Sequence, residues 1–115
     1  MYELTKKMYL TKQIPKHFEV INISNEPIVG LKVDKLLQLQ PFYLKQFADG
    51  DISKEKLEEQ YLRVLEARGQ HLISVDYRGK ILVCSCKTYK HSDSCPMPYL
   101  KNYMALKNHE IERYT

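Results

Sequence analysis

The sequence has no tryptophan, four glycines, five prolines and three cysteines in 115 residues. Each scarcity excludes something. With so little glycine and proline, collagen-like and low-complexity organisation is ruled out, and no repeat recurs at a fixed period. An odd number of cysteines argues against the disulfide framework of small secreted domains and suits a reducing compartment. No apolar run approaches the roughly 18 residues a membrane helix needs. Residues 1–7 lack the unbroken apolar core of a signal peptide. The expectation is a cytoplasmic protein with no membrane partner.

What is present fits a single globular domain spanning residues 1–115, 43% hydrophobic and 28% charged. The net charge of +4 is unevenly spread. Residues 1–16 carry Lys6, Lys7, Lys12 and Lys16 against Glu3, and residues 78–107 carry six cations against Asp93. The middle is acidic, with Asp49, Asp51, Glu55, Glu58, Glu59 and Glu66. Basic segments suit an anionic partner, either a small ligand or nucleic acid. Scattered lysines that only aid solubility are the competing use.

Periodicity predicts the elements. Residues 7–13 alternate with Met8 and Leu10 on one side, which predicts a short strand ended by Pro15. The β-branched run of residues 18–24 predicts another, followed by the turn signal Asn25-Glu26-Pro27. Leu36, Leu37, Leu39, Phe42, Tyr43, Leu44 and Phe47 offer core material, and Pro41 suits the first turn of a helix over 41–48. Ser53 as N-cap, Leu57, Tyr61, Val64 and Leu65 at helical spacing, and Gly69 as stop predict the longest helix. Residues 71–75 read as a strand or a connector. Residues 80–85 predict a buried strand. In the last helix Ser92, Asp93 or Ser94 is the expected cap, and Pro96 and Pro98 are tolerable only in its first turn. Tyr99, Leu100, Tyr103, Met104 and Leu106 form its apolar face, and residues 108–115 read as a frayed tail. Strands alternating with helices indicate the α/β class, a single small domain with a mostly parallel sheet and flanking helices. Ligands of such sheets bind outside the carboxyl ends of the strands, here at Ser24, Asn25 and Cys86.

The order of segments resembles the domain-of-unknown-function 488 family over residues 8–105. Tyr9-Leu10-Thr11, Ile14-Pro15, the strand ending Ile21-Asn22-Ile23-Ser24 before Pro27, and Leu39-Gln40-Pro41 carry the likeness. So does the closing strand Ile81-Leu82-Val83-Cys84, followed by Lys87 and by Cys95 at a helix start. The resemblance implies the α/β fold and no settled activity. The closing motif is degenerate: family His and Arg positions are Pro96 and Met97 here, and the acidic residue expected two positions after the strand cysteine is Cys86. Any catalysis those residues carry in relatives is then lost in this chain.

All three cysteines and one of the four histidines fall within residues 84–95. Cys84, Cys86, His91 and Cys95 have the spacing C-x-C-x4-H-x3-C, and zinc takes four thiolate or imidazole ligands in a tetrahedron. The spacing is similar, not identical, to that of zinc knuckles and SWIM fingers. The same stretch also reads as an anion or nucleotide site. The helix start offers N–H groups and a positive dipole end, with Ser24, Asn25, Lys87, Tyr89, Lys90, Ser94 and Cys95 as ligand-binding candidates. Pro96 removes one of those donors. Taken singly, each cysteine is more often a small structural residue, and only the clustering argues otherwise. Nucleophilic catalysis by Cys86 or Cys95 needs a base, for which His91, His17 and His71 are candidates, but no family-specific context accompanies them and no catalytic residue is assigned. The leading expectation is a binding protein for an anionic, nucleotide-like ligand. The alternative is a zinc-containing nucleic-acid-binding module, with Tyr89, Tyr99 and Tyr103 interleaved among Lys87, Lys90, Lys101 and Lys107. Spacing assigns Tyr99 and Tyr103 to a core-facing stripe instead.

Overall fold

The computed structural model describes residues 1–69 and 77–114. In chain order the elements are β1 (Tyr2–Thr5), α1 (Lys6–Thr11), β2 (Val20–Asn22), β3 (Lys32–Val33), α2 (Pro41–Ala48), α3 (Lys54–Arg68), β4 (Ile81–Cys84), α4 (Met97–Leu106) and β5 (Glu112–Arg113). Among the described residues five strands form one sheet in the order β3-β2-β4-β1-β5, with every neighbouring pair parallel. The α/β class and the parallel sheet are as the sequence indicated. Residues 71–75 lie outside the described residues. No helix among those described is long and apolar enough to cross a membrane.

Pleating divides the core in two. On β4, Ile81 and Val83 pack with Leu4 and Ile28 on one face of the sheet. Leu82 and Cys84 pack on the other, against Leu57, Tyr61 and Leu65 of α3 and Leu100 and Met104 of α4. All four β4 residues are buried, as expected for a central parallel strand covered on both faces. In α3 the Ser53 hydroxyl accepts from the Lys56 N–H at 3.1 Å, and Gly69 ends the helix at φ +86°, a left-handed value that glycine takes without strain.

Several expected features differ. Residues 7–13 are not a strand: β1 precedes them, and Lys6–Thr11 is helical, with the Thr5 hydroxyl accepting from the Met8 N–H at 3.3 Å. A helix can set half-buried Met8 and Tyr9 side by side against the cluster of Leu4 and leave Leu10 outside, which an alternating strand cannot. Leu37 and Leu39 enter the core, but Leu36 and Phe42 are exposed, as is Leu106 at the end of α4. Ser92, Asp93 and Ser94 do not cap α4. Its N-cap is Pro96, with no side-chain cap bond and with Pro98 in the first turn. The tail as far as Tyr114 is also ordered, since Ile111 is buried and β5 pairs Tyr2 with Glu112 and Glu3 with Arg113 along β1.

Candidate metal centre

The site is assembled where β4 ends and α4 begins. Strand alternation that points Leu82 toward the helices also points Cys84 there, and Cys84 is fully buried. Cys86 follows as a half-buried residue, the loop folds back to bring in His91, and Cys95 lies buried directly before the Pro96 cap. The sulfur atoms of the three cysteines and one His91 ring nitrogen all lie within 4.8 Å of one another. His91 Nδ1 stands 3.5 Å from both Cys84 Sγ and Cys95 Sγ. A tetrahedral zinc with Zn–S of about 2.3 Å and Zn–N of about 2.0 Å separates its ligands by roughly 3.5–3.8 Å. The two measured contacts already match that spacing, and the widest pair needs to close by about 1 Å at most. The four atoms can therefore hold a metal ion.

The electrostatics favour thiolate. Contact with Cys95 is the largest influence holding the Cys84 thiol down, to a pKa of about 5, against the opposing effect of burial. His91 and the backbone N–H of Cys86 act in the same direction. Cys95 is pushed up, chiefly because the neighbouring Cys84 carries the charge and because it is buried. His91 is raised to about 10 by its contacts with Cys84 and then Glu3. Cys84 and Cys95 thus share one negative charge, which protonated His91 balances. A bound dication would take over that role and release protons.

Behind His91 stands a residue that sequence reasoning did not place in the site. Glu3 is 1% exposed, with Oε1 3.5 Å from His91 Nε2 and Oε2 2.5 Å from Lys101 Nζ. Both are ion-pair contacts, and among the described residues neither carboxylate oxygen nor His91 Nε2 has a hydrogen-bond partner. Burial alone would raise the Glu3 pKa, but His91 and Lys101 outweigh it and hold the carboxyl below its usual range. Glu3 reaches the site through sheet register. It pairs with Leu82, so it lies on the helix-facing side with Leu82 and Cys84, under α4. Once a bound metal displaces the Nδ1 proton, Nε2 turned to a carboxylate leaves Nδ1 facing the thiols, the outer-sphere arrangement that orients metal-bound histidines. The available signal was the alternation Tyr2-Glu3-Leu4-Thr5, which puts a carboxylate on one face of a strand.

The anion-site candidates are only partly brought together. Ser24, Asn25, Ser94 and Cys95 line one cavity of about 160 Å³, together with Ser92 and Pro96, at the carboxyl ends of β2 and β4. The Ser24 hydroxyl donates to Asn22 Oδ1 at 2.6 Å, and Asn25 Nδ2 donates to the Leu39 carbonyl at 3.1 Å. Lys87 lies outside that lining, in a separate cleft with Lys6 and Lys7. Tyr89 sits under the Arg113 guanidinium, 4.1 Å from ring centroid to Cζ, and meets His91 edge-on. Lys90 is exposed. Tyr99 and Tyr103 are buried, while Lys101 and Lys107 pair with Glu3 and Glu66.

No family model matches the chain, and no curated protein or solved structure matches it.

Proposed function

We propose that this protein is a small binding protein built around a structural zinc centre, with Cys84, Cys86, His91 and Cys95 as the ligands. The convergence of those four ligand atoms, with buried Glu3 behind His91, is the observation that carries the proposal. A thiolate-rich donor set with one imidazole selects zinc over hard cations such as magnesium or calcium. Four protein ligands complete the tetrahedron and leave no open position for water, which makes the centre structural. Its role is to clip the end of β4 to the start of α4 and to fix the loop between them. Cobalt substitution tests this. A tetrahedral cobalt spectrum with thiolate charge-transfer bands is expected, and cobalt that binds without them would overturn the proposed ligand set.

Lys87 follows the carboxyl end of β4 and lines a basic cleft there, which supports the second part of the proposal, an anionic, nucleotide-like ligand held at the strand ends. Lys87→Ala and Lys90→Ala are expected to weaken binding of ADP. Unchanged affinity in both variants would remove those lysines from the ligand site. The nucleic-acid alternative is less well supported, because Tyr99, Tyr103, Lys101 and Lys107 are already engaged within the fold. A cytoplasmic location is proposed on the three free thiols. Membership of the domain-of-unknown-function 488 family is likewise proposed, on the motifs quoted above and with no activity carried over.

A further inference from the structure

We propose that the anionic ligand lies in a groove along α1, where Lys6, Lys7 and Lys87 take its phosphate and Leu10 carries its flat apolar part. The proposal rests on the anionic-ligand reading and moves the ligand out of the small cavity. A void of about 160 Å³ is below the range of roughly 300–1,000 Å³ usual for small-molecule sites. The cleft beside α1 is about 530 Å³ and has Lys6, Lys7, Lys87, Ser85 and Cys86 in its walls. A second cleft of about 350 Å³, with Tyr9 and Lys12, shares the Leu10 wall and continues along the same helix.

Topology puts the groove where parallel sheets bind ligands. Lys6 and Lys7 directly follow β1, and Ser85, Cys86 and Lys87 directly follow β4, its neighbour in the sheet. The charges there are unspent. Among the described residues Lys6, Lys7 and Lys87 make no ion pair, a state they share with Lys12, Lys16, Lys32, Lys35, Lys45 and Lys90, whereas Lys54, Lys56, Lys80, Lys101 and Lys107 each have a carboxylate partner. What sets the three apart is that one cleft gathers them. Three cations face one carboxylate, Glu26, across the cleft. Apolar surface lies alongside, with Leu10 60% exposed and Val29 89% exposed. Unpaired cations set beside exposed Leu10 fit a phosphorylated molecule with a flat ring, the size of a mononucleotide.

Calorimetric titration of the full chain with ADP and with pyrophosphate tests this, alongside the Lys6→Ala/Lys7→Ala double variant and Leu10→Gln. Lys7 and Leu10 are exposed and Lys6 is half-buried, and circular dichroism checks folding. ADP is expected to bind with a Kd below about 1 mM and more tightly than pyrophosphate. The double variant is expected to weaken both ligands by at least about tenfold. Leu10→Gln is expected to weaken ADP by about threefold and leave pyrophosphate unchanged. If neither ligand binds the unaltered protein, the anionic-ligand reading falls and the groove with it. If ADP binds equally well to every variant, the groove alone is overturned. A single-stranded oligonucleotide that binds more than about 100-fold tighter than ADP would overturn the small-ligand class in favour of nucleic acid.

Discussion

Glu3 meets Lys101 of α4 at 2.5 Å, and Glu66 meets Lys107, the residue that caps the end of α4, at 3.5 Å. Glu66 is 61% exposed on the outer face of α3, and its neighbours Glu59, Lys56 and Arg63 are paired in the same open setting. Glu3 is 1% exposed, in the middle of the sheet, and its second oxygen faces a histidine that is itself 8% exposed. Water screens the first pair, so the ion pair contributes little, and a neutral side chain that still accepts from the Tyr103 hydroxyl can replace Glu66. Lys101 still reaches solvent, 36% exposed, but Glu3 itself has no water to fall back on. A carboxylate sealed there must be met by fixed charges, and those charges hold His91 in place and fix which ring nitrogen faces the thiols. The same residue types make a solvated surface at one end of a helix and an ordered site at the other, and burial decides between them.

The sharpest way to break that contrast is to remove a ligand. Cys95→Ser is expected to lower zinc affinity by more than about 100-fold, since changes behind the ligands alone cost 10–100-fold. It should also lower the melting temperature of the zinc-loaded protein, because ligand free energy is folding free energy. A competition titration against a chelating dye reads the affinity, and an unchanged value would remove Cys95 from the site.

Glu3 comes next. Glu3→Gln keeps the shape, loses the charge and is expected to weaken zinc by about 10- to 100-fold. Glu3→Ala is expected to destabilise the fold by about 3 kcal/mol, as expected when one partner of a buried pair is removed. Urea unfolding reads the second effect, and a change no larger than that of a surface substitution would show that Glu3 organises nothing.

A smaller effect is expected at alkaline pH. Tyr103 is raised to about 12, first by burial and then by its hydrogen bond to Glu66 at 2.7 Å. Tyr99 is raised to about 12 by burial and by Asp93, and Tyr61, whose hydroxyl donates to the Leu37 carbonyl at 2.6 Å, is raised further by burial. A folded pKa above the unfolded value of about 10 gives stability that is fully present below that pH. That stability is lost as pH rises toward the folded values. Urea midpoints should therefore be level up to about pH 9 and fall by about pH 11, less steeply in Tyr61→Phe. A flat profile would contradict the burial of these hydroxyls.

The smallest effect is expected at Glu66. Glu66→Gln should leave both zinc affinity and the unfolding midpoint unchanged within error. A loss comparable to that of Glu3→Gln would erase the contrast between the two pairs.

Local chemistry made part of this legible in the sequence. Ser53, the spacing of Leu57, Tyr61 and Leu65, and Gly69 delimit α3 within its own span. The apolar run of β4 and the spacing of Cys84, Cys86, His91 and Cys95 also lie within short stretches, so the candidate ligands could be named before any fold was known. What could not be read depends on distant partners. β5 is a strand because Glu112 pairs with Tyr2, at the far end of the chain. Glu3 belongs to the site because β1 lies beside β4 in a register that puts it next to Leu82. Met8 and Leu10 alternate over too short a run to tell strand from helix, and packing of Met8 and Tyr9 against Leu4 decides it. The α4 start was misread for a local reason: three candidate capping side chains precede it, but Cys95 and the two prolines shift the helix onset past all of them.

The central claim is that the cysteine and histidine cluster is a metal centre, and the most direct measurement is elemental analysis of the protein purified without chelators, beside Cys84→Ser and Cys95→Ser. The expected result is about one zinc per chain in the unaltered protein and close to none in either variant. A metal-free protein that is fully folded, with the same melting temperature before and after added zinc, would contradict it.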